Sequence, residues 1–126
     1  MNSKGVTRIA FIIWMIAITV LSVLPHGDDG ILSYKLTGSG MVVHFVAYFV
    51  AAGLLYWAYR RDSIPFILFC GLIIFVFSVI LEFVQLWVPD RVFNPVDIAA
   101  NGLGVGLFVL LWAVDQRFAK IEKKEV

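Results

Sequence analysis

Four apolar runs, at residues 9–24, 41–59, 65–88 and 96–114, occupy most of the chain, with only short polar connectors between them. The first, extended by Thr7 and Arg8, makes a helix of about 27 Å at about 1.5 Å per residue, enough for a hydrocarbon core about 30 Å thick. The third is the longest, which predicts some tilt. Such runs predict an all-α integral membrane protein of four antiparallel transmembrane helices in a single domain spanning 1–126. Composition agrees: 61% of the residues are hydrophobic, above the roughly 45–50% of a soluble globular protein. No internal repeat or linker divides the chain.

A basic start followed by an apolar run is also the pattern of a cleaved signal peptide. Here the run is bulky to its end and no Ala-x-Ala-like site follows, so a retained helix is expected. Residues 25–40 read as a polar, glycine-containing connector, with a short amphipathic turn at 31–36 and Ser39 as an N-cap. Pro65 suits a first helical turn, as does Pro95 after an Asn94 N-cap, and the charged tail from Asp115 is expected to fray into water.

The basic residues orient the chain. Lys4, Arg8, Arg60, Arg61, Arg117, Lys120, Lys123 and Lys124 fall at the two ends and in the middle turn, and the other two loops hold only Lys35 and Arg91, eight against two of the ten. The positive-inside rule then puts both termini in the cytoplasm. Net charge is only +1, so composition offers no argument for nucleic-acid binding. The one cysteine, Cys70, excludes an intramolecular disulfide.

Polar side chains inside these runs are the functional signal, because an ionisable or amide group in hydrocarbon costs several kcal/mol unless it meets a partner or water. Ser78, Glu82 and Gln85 follow i, i+4, i+7 spacing on the third run, extended by Gly71 and Phe75, so one stripe should face protein. Asp97, Asn101 and Gly104 repeat that spacing on the fourth, where Gly102 and Gly106, four apart, suit close helix packing. His44 and Tyr48 stand one turn apart at the start of the second. With the predicted orientation His44, Tyr48, Glu82, Gln85, Asp97 and Asn101 lie within about 10 Å of the outer boundary, and Glu82, Gln85, Asp97 and Asn101 are expected to share a pocket with His44 at its rim.

Each residue has a plainer reading. Glu82 can be an interhelical contact to His44 or Arg91, although such contacts more often use Ser, Thr, Asn or Gln. His44 can hydrogen-bond lipid or water at the interface, and Asp97 is favourable near a helix start through the dipole alone. Asn101, a turn deeper, has no capping role and reads as a partner for Asp97, Gln85 or a ligand. Arg91 can snorkel, pair with Asp90, or clamp a phosphate or carboxylate. Tyr48 reads as an interface aromatic.

The pattern His44-x-x-x-Tyr48, Glu82-x-x-Gln85-x-x-x-Pro89-x-Arg91 and Asp97-x-x-x-Asn101-x-x-Gly104 resembles the VanZ-like family of small bacterial membrane proteins, over roughly residues 10–115. The name-giving member of that family is associated with teicoplanin resistance. The chain departs from it at Gly40-Met41, where relatives often carry an Asp-Lys pair. The resemblance implies a multi-pass protein of the bacterial cell membrane, envelope association and tolerance of lipoglycopeptides, but no particular reaction.

Two classes of function follow. One is a binding module that engages a membrane lipid or lipid-linked envelope precursor, with Arg91, Gln85, Asn101 and Tyr48 as ligand contacts and an anionic headgroup on Arg91. The other is a small intramembrane enzyme, with Glu82 or His44 as general base and Asp97 as acid or orienting group. The sequence does not say which cofactor, if any, the chain uses. His44, Glu82 and Asp97 could supply three ligands to a divalent metal, without the short spacing of a His-Glu-x-x-His motif. A proton-coupled carrier is disfavoured, since no inverted repeat is detectable.

Overall fold

The apolar runs become four helices, and local chemistry sets their ends. The computed structural model describes residues 3–24, 40–89 and 91–125. Helix α1 spans Ser3–Val23, α2 Gly40–Tyr59, α3 Ile64–Val84 with a 3-10 turn at Gln85–Trp87, and α4 Pro95–Glu125. All four are long and apolar enough to cross a membrane. The expected connector at 25–40, including Ser39 as a cap, lies almost entirely outside the described residues, as does Asp90.

Two helices are longer than expected. The first begins at Ser3, where the Thr7 hydroxyl donates to the Ser3 carbonyl at 2.9 Å. The tail expected to fray is instead helical through Glu125. Its Ala, Lys, Glu, Gln and Arg residues are strong helix formers, so the helix continues after the apolar stretch stops. The third helix opens with Pro65 in its first turn, as expected, and with Ser63 at the N-cap position without a side-chain cap hydrogen bond. The Ser63 carbonyl accepts from the amides of Phe66 and Ile67, both at 3.1 Å.

Helices α2 and α4 form the most extensive contact, with α3 packed against both and α1 against α2 and α3. Small residues make this possible. Ala51, Ala52 and Ala58 on α2 are fully or almost fully buried, and Gly104 of α4 brings its Cα against the Phe45 and Phe49 backbone. The Gly102 and Gly106 spacing does not serve that purpose: Gly102 faces the Phe75 ring, and Gly106 has open space around it.

The outward faces of the apolar spans are exposed. Ile13, Ile16 and Leu21 on α1, Phe69 and Leu72 on α3, and Leu103 and Leu110 on α4 are all exposed, a pattern suited to hydrocarbon rather than water. The predicted α3 stripe faces inward: Gly71, Ser78, Glu82 and Gln85 are buried and Phe75 is half-buried.

Arginines gather at one end of the bundle. There Arg8 donates to the Ala58 carbonyl at 3.2 Å and lies over the Tyr59 ring, while Arg60 lies over Trp57. A cavity of about 390 Å³ opens beside Arg8 and Arg61, with Phe66 and Cys70 in its wall. The polar cluster lies at the other end.

Candidate functional site

Three helices supply the cluster, each from a turn near its end. Helix α2 carries His44 one turn after its start and α3 carries Glu82 in its last turn. Helix α4 carries Asp97 in its first turn and Asn101 one turn on. Asn94 starts that helix: its Oδ1 accepts from the Val96 amide at 3.0 Å, and its carbonyl accepts from the Asp97 amide at 3.0 Å. This is N-capping, with Pro95 at the first helical position where its missing N–H costs nothing.

His44 is the hub. Its Nδ1 lies 3.0 Å from Asn101 Oδ1 and 3.6 Å from Glu82 Oε1, and its Nε2 lies 3.8 Å from Asp97 Oδ2. Only the first is a hydrogen bond by distance. An amide oxygen only accepts, so a neutral His44 that donates to Asn101 carries its proton on Nδ1 and turns the Nε2 lone pair toward Asp97. One ligand atom from each of His44, Glu82 and Asp97 falls within 4.8 Å of the others. The set has the donor types to hold a divalent cation, and ligand distances of about 2.1 Å would draw its widest pair slightly together.

Burial across the cluster is uneven. The side chains of His44 and Asp97 are 21% and 18% exposed, whereas that of Glu82 is 2% exposed, and Asn101 is fully buried. Glu82 Oε2 and Asn101 Nδ2 are buried without a hydrogen-bond partner. An unsatisfied buried polar atom costs about 1–3 kcal/mol, and more when charged, so a stable protein is expected to use both atoms. The cluster has a buried floor with unused hydrogen-bonding capacity and a partly open mouth.

The remaining candidates are placed differently. Gln85 is buried in the 3-10 turn after Glu82. Tyr48 is not an interface aromatic: at 3% exposure it belongs to the apolar core with Ala51, Ile74 and Val105. Arg91 turns to α1, where Nε donates to the Leu24 carbonyl at 3.2 Å and Nη2 to the Leu21 carbonyl. It thereby satisfies carbonyls that a helix end leaves without partners. Burial lowers the Arg91 pKa, and the charges of Glu82 and Asp97 oppose that shift. A guanidinium stays protonated regardless, so a positive charge remains at this end of the bundle.

Sequence spacing missed two features. It named Asp97, Gln85 or a ligand as the partner of Asn101, whereas the partner is His44; helical phase between α2 and α4 decides that, and no periodicity within one helix reports it. The two α1 carbonyls that hold Arg91 were equally invisible, since backbone groups leave no residue signal.

No curated protein and no solved structure matches the chain. The family model described as VanZ/LLP1 matches residues 9–116, a span that reaches into all four helices and includes every residue of the cluster, and this multi-pass membrane protein belongs to that family.

Proposed function

We propose that the cluster engages the polar headgroup of a membrane amphiphile, a lipid or lipid-linked envelope component, in the outer leaflet of the bacterial cell membrane. The observation that carries this is the pair of unpartnered buried atoms, Glu82 Oε2 and Asn101 Nδ2, beneath the partly exposed His44 and Asp97. A headgroup bearing both hydroxyl and phosphate or carboxylate groups offers the missing donors and acceptors. Its acyl chains meet the apolar surfaces of α3 and α4. Sequestering or shielding such a component is also how a member of this family would contribute to glycopeptide (teicoplanin) resistance.

Arg91 adds positive charge for an anionic headgroup, as do the amino-terminal ends of α2 and α4. Two of its donors already serve α1, so its contribution is the field at the mouth more than a bidentate clamp. The test is to purify the protein with its co-isolated lipid and compare wild type, Glu82→Gln, Asn101→Ala and Arg91→Ala by lipid mass spectrometry. One anionic species enriched on wild type and depleted on Asn101→Ala is expected. Equal lipid profiles on all four proteins would refute the reading.

One observation favours a second reading, a small intramembrane enzyme. An imidazole flanked by carboxylates at 3.6 and 3.8 Å is an arrangement able to pass a proton between substrate and side chain. Here His44, Glu82 and Asp97 are the catalytic candidates. In an enzyme, Glu82→Gln keeps the bound lipid but abolishes its turnover; in a binding module retention and any biological effect decline together.

A further inference from the structure

The geometry of the cluster points to a divalent cation site formed by His44, Glu82 and Asp97, and we propose that this chain binds a zinc-type transition metal there. The first argument is hydrogen-bond bookkeeping. His44 Nδ1 stands 3.0 Å from Asn101 Oδ1 and Nε2 stands 3.8 Å from Asp97 Oδ2, so a neutral ring that donates to Asn101 presents its Nε2 lone pair to that carboxylate. A lone pair and a carboxylate oxygen at that distance neither hydrogen-bond nor attract. Ligand atoms around one ion, each about 2.1 Å from it, stand roughly 3–4 Å apart, so the gap suits two donors sharing a cation.

The second argument is the unused carboxylate. Glu82 is 1% exposed, yet its Oε2 meets no donor. A buried carboxylate oxygen without a donor is costly, and a cation held beside Oε2 removes that cost. The third is the support around the ring. A metal-binding imidazole usually gives its other N–H to an acceptor that fixes its tautomer and orientation. Asn101, fully buried on the adjacent helix, does this for His44.

The donor set also selects the metal. One imidazole with two carboxylates suits Zn²⁺ or its neighbours over Ca²⁺ or Mg²⁺, which take oxygen ligands almost alone. Three protein ligands and a partly exposed mouth leave a coordination position open to water or to an incoming group. Through that position the cation would bridge the two carboxylates to a phosphate or carboxylate. This last step rests on the headgroup reading above; the cation site itself does not.

The test uses the full-length protein in detergent, stripped with EDTA and titrated with Co²⁺ alone, then with Zn²⁺ as competitor. One Co²⁺ per chain is expected, with visible d–d absorption, no thiolate charge-transfer band from Cys70, and displacement by Zn²⁺. His44→Ala, Glu82→Gln and Asp97→Asn should each weaken binding at least about tenfold, while Cys70→Ala and His26→Ala leave it unchanged. Wild-type protein that takes up no stoichiometric Co²⁺ overturns the site, and because that readout needs no variant it does not depend on whether the variants fold. Binding that survives all three ligand substitutions, or is lost with His26→Ala, overturns it too. Lipid analysis before and after EDTA separates the two readings. Anionic lipid lost with the metal supports the bridge; lipid retained without metal refutes the bridge and leaves headgroup binding standing. Stoichiometric Co²⁺ on a protein that retains no particular lipid supports the cation site and sinks the headgroup reading.

Discussion

Gly104→Ala tests how helix packing assembles the site. A Cβ at this position stands 2.2 Å from the Phe45 carbonyl oxygen and 3.1 Å from both the Phe45 carbonyl carbon and the Phe49 amide nitrogen. Carbon and carbonyl oxygen in contact normally keep about 3.3 Å or more, so α2 and α4 must part by about 1 Å. The obstructing atoms are backbone and cannot rotate aside. Overpacking of this kind costs about 1–3 kcal/mol, and a gap of about 1 Å also forfeits up to half of each dispersion contact along the seam. A loss of about 2 kcal/mol lowers the folded-to-unfolded ratio about thirtyfold.

Phe45 follows His44 directly, and Gly104 lies one turn beyond Asn101. The same displacement therefore stretches the 3.0 Å contact between His44 and Asn101 beyond hydrogen-bonding distance. Cys70, 2% exposed, provides the assay: a fluorogenic maleimide reports its release during a thermal ramp in detergent. The expected result is a midpoint about 5–10 °C lower for Gly104→Ala. Gly106→Ala, with nothing within 4 Å of its Cβ, should match or exceed wild type because alanine is the better helix former. Wild-type melting of Gly104→Ala, or an equal loss in Gly106→Ala, would refute the packing argument.

Arg91→Ala leaves the Leu21 and Leu24 carbonyls without their donor and should cost about 1 kcal/mol in the same melting assay, with Arg91→Lys recovering only part because an ammonium lacks the planar fork. Asn94→Ala removes the cap on Val96, a loss of about 1 kcal/mol, and should disturb metal or lipid binding at Asp97 more than it disturbs melting. Ser78→Ala should change the midpoint by less than the equivalent of about 0.5 kcal/mol, since that hydroxyl bonds only the Phe75 carbonyl of its own helix. On a Cys70→Ala background, an impermeant maleimide applied to intact cells should label Asp29→Cys and Val92→Cys but not Asp62→Cys or Lys120→Cys; the opposite pattern would overturn the assignment of both termini to the cytoplasm.

Features within one helix were readable from spacing, and features between helices were not. Ser78, Glu82 and Gln85 share a stripe because 3.6-residue periodicity alone puts them there, and all three are buried. The α4 start was legible for a similar reason: Asn94-Pro95 is a local signal with a local structural consequence. The helical tail to Glu125 was misread because polarity was taken as a sign of fraying, whereas helix propensity belongs to Lys, Glu and Ala whether or not they are buried. The choice of Gly104 over Gly102 and Gly106 as the point of closest approach depends on the rotation of α4 against α2, and a rule based on four-residue spacing carries no information about that angle.

That rotation also explains why the site is more than the sum of its polar residues. Glu82 is fixed by α3, Asp97 and Asn101 by α4, and His44 by α2, so no pair of consecutive helices builds the cluster alone. The contact joining α2 to α4 is the one that Gly104 permits, next to the residues it brings together. Moving α2 by about 1 Å takes His44 out of hydrogen-bonding reach of Asn101, freeing the ring to change tautomer and turning Nε2 from a fixed lone pair into one of two alternatives. Backbone packing at a glycine thus bears on whether His44 Nε2 presents a lone pair or a proton to Asp97. Substitutions along the α2–α4 seam should therefore weaken metal or headgroup binding even where they touch neither, and more steeply than substitutions of equal thermal cost on the lipid-facing side of α1.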